Sequence, residues 1–346
     1  MPSLAGRWPE ISGAELIDAL VPPPLFAAAR FDTYRPDQQH PSQAVAVEAA
    51  RSLLGAIPPE REKRGLLRRK VPATPLGAYF DGGFGVGKTH LLAALWHAAP
   101  APKAYATFVE LTSLTGVLGM NATVSALASY RLLAIDEFEL DDPGDTVLIS
   151  TLLGRLSEHG VSLAATSNTQ PEDLGEGRFA ADDFRREIQG LASRFQIIRV
   201  DGPDYRQRGI GSTGPLPSVD NSRLARALAT PGATVDDFDT LCAHLAELHP
   251  SRYGRLVEGV PMVALRHLRP LTDQAAALRL VVFIDRLYDR GIPVAITGCP
   301  LGELFPSELL TGAHRKKYQR CLSRLGALSL RAAGTVEAGD QEGDVQ

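Results

Sequence analysis

Cysteine is scarce in this chain of 346 residues: Cys242, Cys299 and Cys321 stand far apart, and no C-x-x-C pair occurs. That spacing excludes a disulfide framework and a cysteine-built zinc site, so a reducing cytoplasm is the compartment expected. Long apolar runs are lacking too. No stretch approaches the roughly 20 residues needed to span a bilayer, and the first residues show no basic region followed by an apolar signal segment. An excess of one charge is also missing. The formal net charge of −4 argues against general, charge-driven nucleic-acid binding, while leaving room for a local basic patch. With 44% hydrophobic and 22% charged residues, the chain has the balance of an ordinary globular protein, long enough for two domains and a full core.

One stretch stands out from this ordinary background. Gly82-Gly83-Phe84-Gly85-Val86-Gly87-Lys88-Thr89 reads G-x-x-x-x-G-K-T, the phosphate-cradling P-loop pattern. Leu76 to Asp81 before it is an apolar run suited to a buried strand. His90 to His97 after it carries Leu91, Leu92, Leu95 and Trp96 at helical spacing. A strand delivers such a loop and a helix leaves it. The glycines let the backbone turn so that its N–H groups face phosphate oxygens, and the helix N-terminus adds its positive dipole end. Lys88 is expected to reach the β- and γ-phosphates, and the Thr89 hydroxyl to ligate Mg²⁺.

A nucleotide hydrolase also needs a carboxylate at the end of a buried strand. Leu132-Leu133-Ala134-Ile135-Asp136-Glu137 supplies one. Asp136 is expected to hold Mg²⁺ through water, and Glu137 to orient and activate the attacking water. As neighbours on a strand they are expected to face opposite ways. Ala104 to Glu110 reads as a further strand between the two motifs. The intervening strand, with Glu directly after Asp, favours ATP over GTP and hydrolysis over phosphorylation of a small molecule.

The strand Val161 to Thr166 ends in Ser167-Asn168. Asn168 at that tip is expected to sense the γ-phosphate, although asparagine also suits a plain turn. A helix from about Asp183 to Ala192 ends in Ser193-Arg194-Phe195, ahead of the strand Gln196 to Val200. Arg194 is expected to project into a neighbouring subunit's nucleotide, with Arg178, Arg185 and Arg186 as competitors. An arginine at a helix C-terminus equally suits the helix dipole. Two weaker segments remain open. Phe31-Asp32-Thr33-Tyr34-Arg35-Pro36 reads as part of an adenine pocket or as core staples, and Asp204-Tyr205-Arg206-Gln207-Arg208 as a phosphate-facing arginine segment or an exposed loop.

The organisation follows from composition. Residues 1–75 form an approach region, in which Val21-Pro22-Pro23-Pro24 blocks continuous helix and Ser42 to Leu54 reads as an amphipathic helix. Its basic segment Arg61 to Lys70 reads as a solvated loop rather than a nucleic-acid or membrane patch. Residues 76–205 alternate apolar strands and amphipathic helices, the pattern of a parallel α/β sheet. Asp201 to Ser222 is rich in Gly, Pro and Ser and reads as a linker or long loop. A second, partly helical, lid-like region spans 206–330, and residues 331–346 are expected to be disordered. Leu148 to Leu174 and Leu280 to Phe305 share one pattern: amphipathic helix, Gly, apolar strand, small polar turn. Generic α/β punctuation explains it, or else the second region adds to the sheet or builds a small related one.

The order of these motifs resembles that of an AAA+ ATPase, more narrowly the ZapE family, related to the mitochondrial ATPase-family-gene-one proteins. The residues that carry the resemblance are Gly82 to Thr89, Leu132 to Phe138, Ala165-Thr166-Ser167-Asn168 with Pro171-Glu172-Asp173-Leu174, and Asp204-Tyr205-Arg206. In the second region they are Phe238-Asp239-Thr240-Leu241-Cys242, Phe283 to Asp289 and Ser323-Arg324-Leu325. The family usually carries arginine where Val86 stands, and a longer stretch between Glu110 and Arg131. The resemblance implies a three-layer P-loop α/β fold, with ATP and Mg²⁺ as ligands. It also implies a nucleotide-dependent oligomer and action on a protein partner, in cell division at the FtsZ ring for bacterial members. Two other readings stay open: a nucleic-acid-linked ATPase of the helicase-loader type, and a non-hydrolysing nucleotide-gated scaffold.

Overall fold

The computed structural model describes residues 2–10, 12–57, 77–140, 143–170, 174, 185–203, 229–312 and 314–332. The chain divides into two units, one of Ser12–Gly209 and one of Met1–Ile11 with Ile210–Gln346. The basic segment 61–70, Arg178 and Asp204 to Arg208 lie outside the described residues.

The first unit is built on a parallel sheet of five strands in the order β2-β3-β4-β1-β5. They are β1 (Gly77–Gly82), β2 (Lys103–Thr107), β3 (Leu132–Asp136), β4 (Ser162–Ser167) and β5 (Phe195–Val200). β1 and β3 are buried along their whole length, which is why they read as near-continuous apolar runs rather than alternating ones. Among the helices are α1 (Gly13–Asp18), α2 (Ser42–Ala56), α3 (Lys88–Ala98), α4 (Phe108–Leu118), α5 (Met120–Leu127), α6 (Pro143–Glu158) and α7 (Arg185–Ala192). Leu92 and Leu95 of α3, with Leu53 and Leu54 of α2, pack against Tyr105, Leu132 and Ala134 on one face of the sheet. Tyr79, alternating to the other face, meets the rings of Phe138 and Phe195, and Phe138 in turn meets Phe108 of α4. The sheet is therefore the middle of three layers. β1 leads through α3 to β2 at the far edge, so its carboxyl end opens at a reversal of strand order, where α/β sheets bind ligands.

Two local expectations differ from the structure. The strand expected over 104–110 stops at Thr107, because that residue caps α4. Its backbone N–H donates to Glu110 Oε2 at 2.8 Å and its hydroxyl accepts from the Glu110 N–H at 3.3 Å, a capping box that turns the chain into helix. β3 ends at Asp136, and Glu137 leaves the strand with φ 54°, so the two carboxylates are not opposite faces of one strand.

The second unit holds its own parallel sheet, β6-β7-β8, made of Thr234–Asp237, Val263–Leu268 and Val294–Gly298. The segments that look alike in sequence become α6 with β4 in the first unit, and the helix Gln274–Asp289 with β8 in the second. The second region thus builds a separate small sheet. Its core gathers Phe238, Leu265, Phe283, Leu287 and Tyr318, and also Leu4 from the start of the chain. Ser3 Oγ donates to Asp236 Oδ1 at 2.6 Å, while the Leu4 and Ala5 N–H groups donate to the same carboxylate at 3.1 and 3.0 Å.

Candidate nucleotide site

The loop between β1 and α3 has the backbone its glycines permit. Gly85 and Gly87 have φ of 65° and 92°, and Gly82 has 155°. A Cβ on Gly82 would sit 2.0 Å from the Val200 carbonyl oxygen, and one on Gly87 would sit 2.5 Å from the Tyr34 ring. Glycine is required at both on space alone, and at Gly87 on conformation as well. Tyr34 also donates its hydroxyl to the Val86 carbonyl at 2.9 Å. This contact places the Phe31 to Pro36 segment against the P-loop.

Lys88 begins α3, buried. Its Nζ donates to the Gly82 carbonyl at 2.8 Å, to the Gly83 carbonyl, and to Asn168 Oδ1 at 2.9 Å. Burial pushes the ammonium down to about 8, against the opposing pull of Asp136, Asp81, Glu139 and Glu137. Thr89 Oγ1 donates to Asp136 Oδ1 at 3.2 Å. Two more hydroxyls reach that carboxylate: Tyr105 donates to Oδ2 at 2.9 Å, and Thr166 Oγ1 donates to Oδ1. The Glu137 N–H donates to Thr166 Oγ1 at 3.1 Å. Asp81, at the end of β1, is buried and paired to Arg199 of β5 at 2.6 Å.

The structure therefore brings Gly82 to Thr89, Asp136, Glu137 and Asn168 to one end of the sheet. Arg194 is not with them. Parallel β1 and β5 pair Gly77 with Phe195 and Gly82 with Val200, which sets Arg194 at the opposite end, roughly 17 Å away at the rise of a strand. Its guanidinium lies against α6, where a Cβ on Gly154 would be 3.1 Å from Nη2. Arg186 is exposed on α7. Tyr105 and Thr166 were not legible as site residues. Tyr105 reads as a core aromatic, and Thr166 as one more small residue at the end of β4.

The donor set suits a nucleotide with Mg²⁺. The backbone cradle has no room for side chains at two of its glycines, and the Thr89 hydroxyl with the Asp136 carboxylate offers hard oxygens. Mg²⁺ characteristically takes one or two carboxylates and completes its shell with water and phosphate.

This strand order, with a P-loop after β1, Asp136 closing β3 and Glu137 directly after it, defines a P-loop ATPase of the AAA+ type. The AFG1-like ATPase family model matches residues 11–223 and 210–335, and the chain belongs to that family. The cell division protein ZapE of Escherichia coli K12 is 26% identical over 326 residues, covering 79% of this chain and 86% of ZapE. An uncharacterised protein of Schizosaccharomyces pombe, C115.02c, is 31% identical over 155 residues, covering 40% of this chain and 34% of its own length. Among solved structures, AMPPCP-bound DnaA from Aquifex aeolicus matches with a TM-score of 0.36 at 11% identity, covering 90% of this chain and 85% of DnaA. That likeness is too remote to bear on function. Among the described residues no helix is long and apolar enough to cross a membrane.

Proposed function

We propose that this protein hydrolyses ATP with Mg²⁺ and uses the turnover to remodel a protein partner, in a cytoplasmic, nucleotide-dependent oligomer. The observation that carries this reading is the convergence of Lys88, Thr89, Asp136 and Asn168 in one hydrogen-bonded set, with Glu137 following Asp136. When bound, Mg²⁺ neutralises phosphate charge; Thr89 and Asp136 are the residues that would hold it. Lys88 exchanges its backbone carbonyl partners for phosphate oxygens. Glu137 accepts the proton of the attacking water, and Asn168 orients water and phosphate.

Turnover is tested by multiple-turnover phosphate release. Glu137→Gln should keep nucleotide affinity and lower kcat by about 10²–10⁴, the range of general-base catalysis. Unchanged hydrolysis would remove Glu137 from its role.

Arg194 is proposed as an arginine that acts on a neighbouring subunit, since it stands at the far end of β5 from its own P-loop. Such residues contribute about 10³–10⁵ in rate in well-studied systems. Arg194→Ala and Glu137→Gln subunits, each inactive alone, should recover activity when mixed, because one interface type then pairs an intact arginine with an intact glutamate. No recovery would place the finger elsewhere.

For the partner, the E. coli relative bears the name of a cell division protein, and we extend that to a division protein such as FtsZ. Glu137→Gln protein held in ATP should retain FtsZ in a pull-down and release it in ADP. Equal retention in both nucleotides, or none, would overturn the assignment.

A further inference from the structure

We propose that Thr166 is a positioning residue for the hydrolysis assigned to this site. Its single hydroxyl sets the metal-side carboxylate and the catalytic glutamate in register with each other. The inference rests on the ATPase reading above.

The parallel ladder between β3 and β4 ends at the pair Ile135 and Ala165. Asp136 and Thr166 come next on their strands, where side-chain bonds join the main-chain ones. Thr166 is 2% exposed. Its Oγ1 donates to Asp136 Oδ1 and accepts the Glu137 N–H at 3.1 Å, while its carbonyl accepts the Phe138 N–H at 2.7 Å. Three consecutive residues of the acidic motif are thereby tied to one residue of β4.

The middle one of the three is under strain. Glu137 has φ 54°, a left-handed conformation that is unfavourable for an ordinary residue and persists only where its surroundings over-determine it. The bond from its N–H to Thr166 is one such determinant. It fixes the backbone of the glutamate where the chain leaves the strand. Thr166 lies two residues before Asn168, so the strand that carries the amide also holds the glutamate. Tyr105 holds the other oxygen of Asp136 at 2.9 Å. A threonine suits the task because its β-branched side chain is stiff at χ1.

Removing the hydroxyl should misplace Glu137 against the phosphate end of the site without dismantling the P-loop. A displacement of about 1 Å at a reacting group can cost about 10²-fold in rate. Thr166→Val, which keeps the shape, should therefore lower kcat about 10²-fold. Its KM for ATP and its ADP affinity should stay within about threefold, while the Mg²⁺ concentration for half-maximal rate rises. Thr166→Ser should restore most of kcat. Wild type and Glu137→Gln are measured alongside. Absence of wild-type turnover would refute the ATPase reading itself. Wild-type turnover with Thr166→Val at full kcat, or with Thr166→Ser as slow as Thr166→Val, would overturn the positioning role alone. If Thr166→Val does not fold, Thr166→Ser against Thr166→Ala isolates the same hydroxyl. Equal kcat for that pair overturns the proposal, and a large difference supports it.

Discussion

Lys88 Nζ donates to Asn168 Oδ1 at 2.9 Å, joining the first residue of α3 to the residue that follows β4. The P-loop amine and the amide proposed as sensor are therefore already in contact through one bond. Asn168→Ala removes that contact and leaves the two backbone carbonyls on Lys88. The expected result is a kcat lower by about 10²-fold, the scale of losing one oriented polar group in a preorganised site, with KM for ATP changed much less. Steady-state kinetics check it; a change in KM alone would make Asn168 a binding residue rather than a sensor.

In the second unit, buried Asp285 is paired to Arg320 at 2.8 Å and also to Arg324. Asp285→Ala would leave the buried Arg320 guanidinium, and the half-buried one of Arg324, without that carboxylate, a loss that typically costs about 3–5 kcal/mol. Chemical denaturation of the full chain, followed by a probe in the second unit, should show a transition at clearly lower denaturant. An unshifted transition would mean that solvent replaces the carboxylate.

Leu4 is fully buried in the core of the second unit, and Asp236 holds the backbone on its C-terminal side. Leu4→Ala should destabilise that unit by about 2–5 kcal/mol, the range for emptying a buried leucine site. Thermal unfolding provides the measurement. A change within error would show that the N-terminal segment contributes little to the core.

Cys321 is fully buried, and burial raises its thiol well above the ordinary range. Cys242 is raised to about 11, with burial as the leading cause. Because the thiolate is the reactive form, neither should react readily near neutral pH. Cys321 should be modified by a maleimide only at the rate of unfolding, and Cys242 faster as pH rises toward 11. Rapid modification of Cys321 in the native protein would contradict its placement.

Much of the first unit was legible because its signals are local. Four glycines and Lys88-Thr89 lie within eight residues of one another, and the strands leading to Asp136 and Asn168 are short apolar runs closed by a polar residue. The error at Thr107 had a local cause as well: β-branched and aromatic residues suggested strand, while a capping box four residues long redirected the chain. The second sheet was foreseen only as one alternative, because helix followed by strand is a pattern common to any α/β layer. Asp285, one of the residues that carried the resemblance, turns out to hold a buried ion network in the second unit.

The sequence by itself determined the chemistry of the loop, the family and the three-layer parallel class, because spacing within about ten residues dictates backbone conformation and hydrophobic period. Tertiary structure alone decided the rest. It set the left-handed Glu137 on the hydroxyl of Thr166, 29 residues away, and gave Asp136 the hydroxyl of Tyr105, 31 residues away. It placed Ser3 on Asp236 across 233 residues and sent Arg194 to the far end of the sheet. Those relations depend on strand order and on loop closure between distant segments, and no local propensity encodes them.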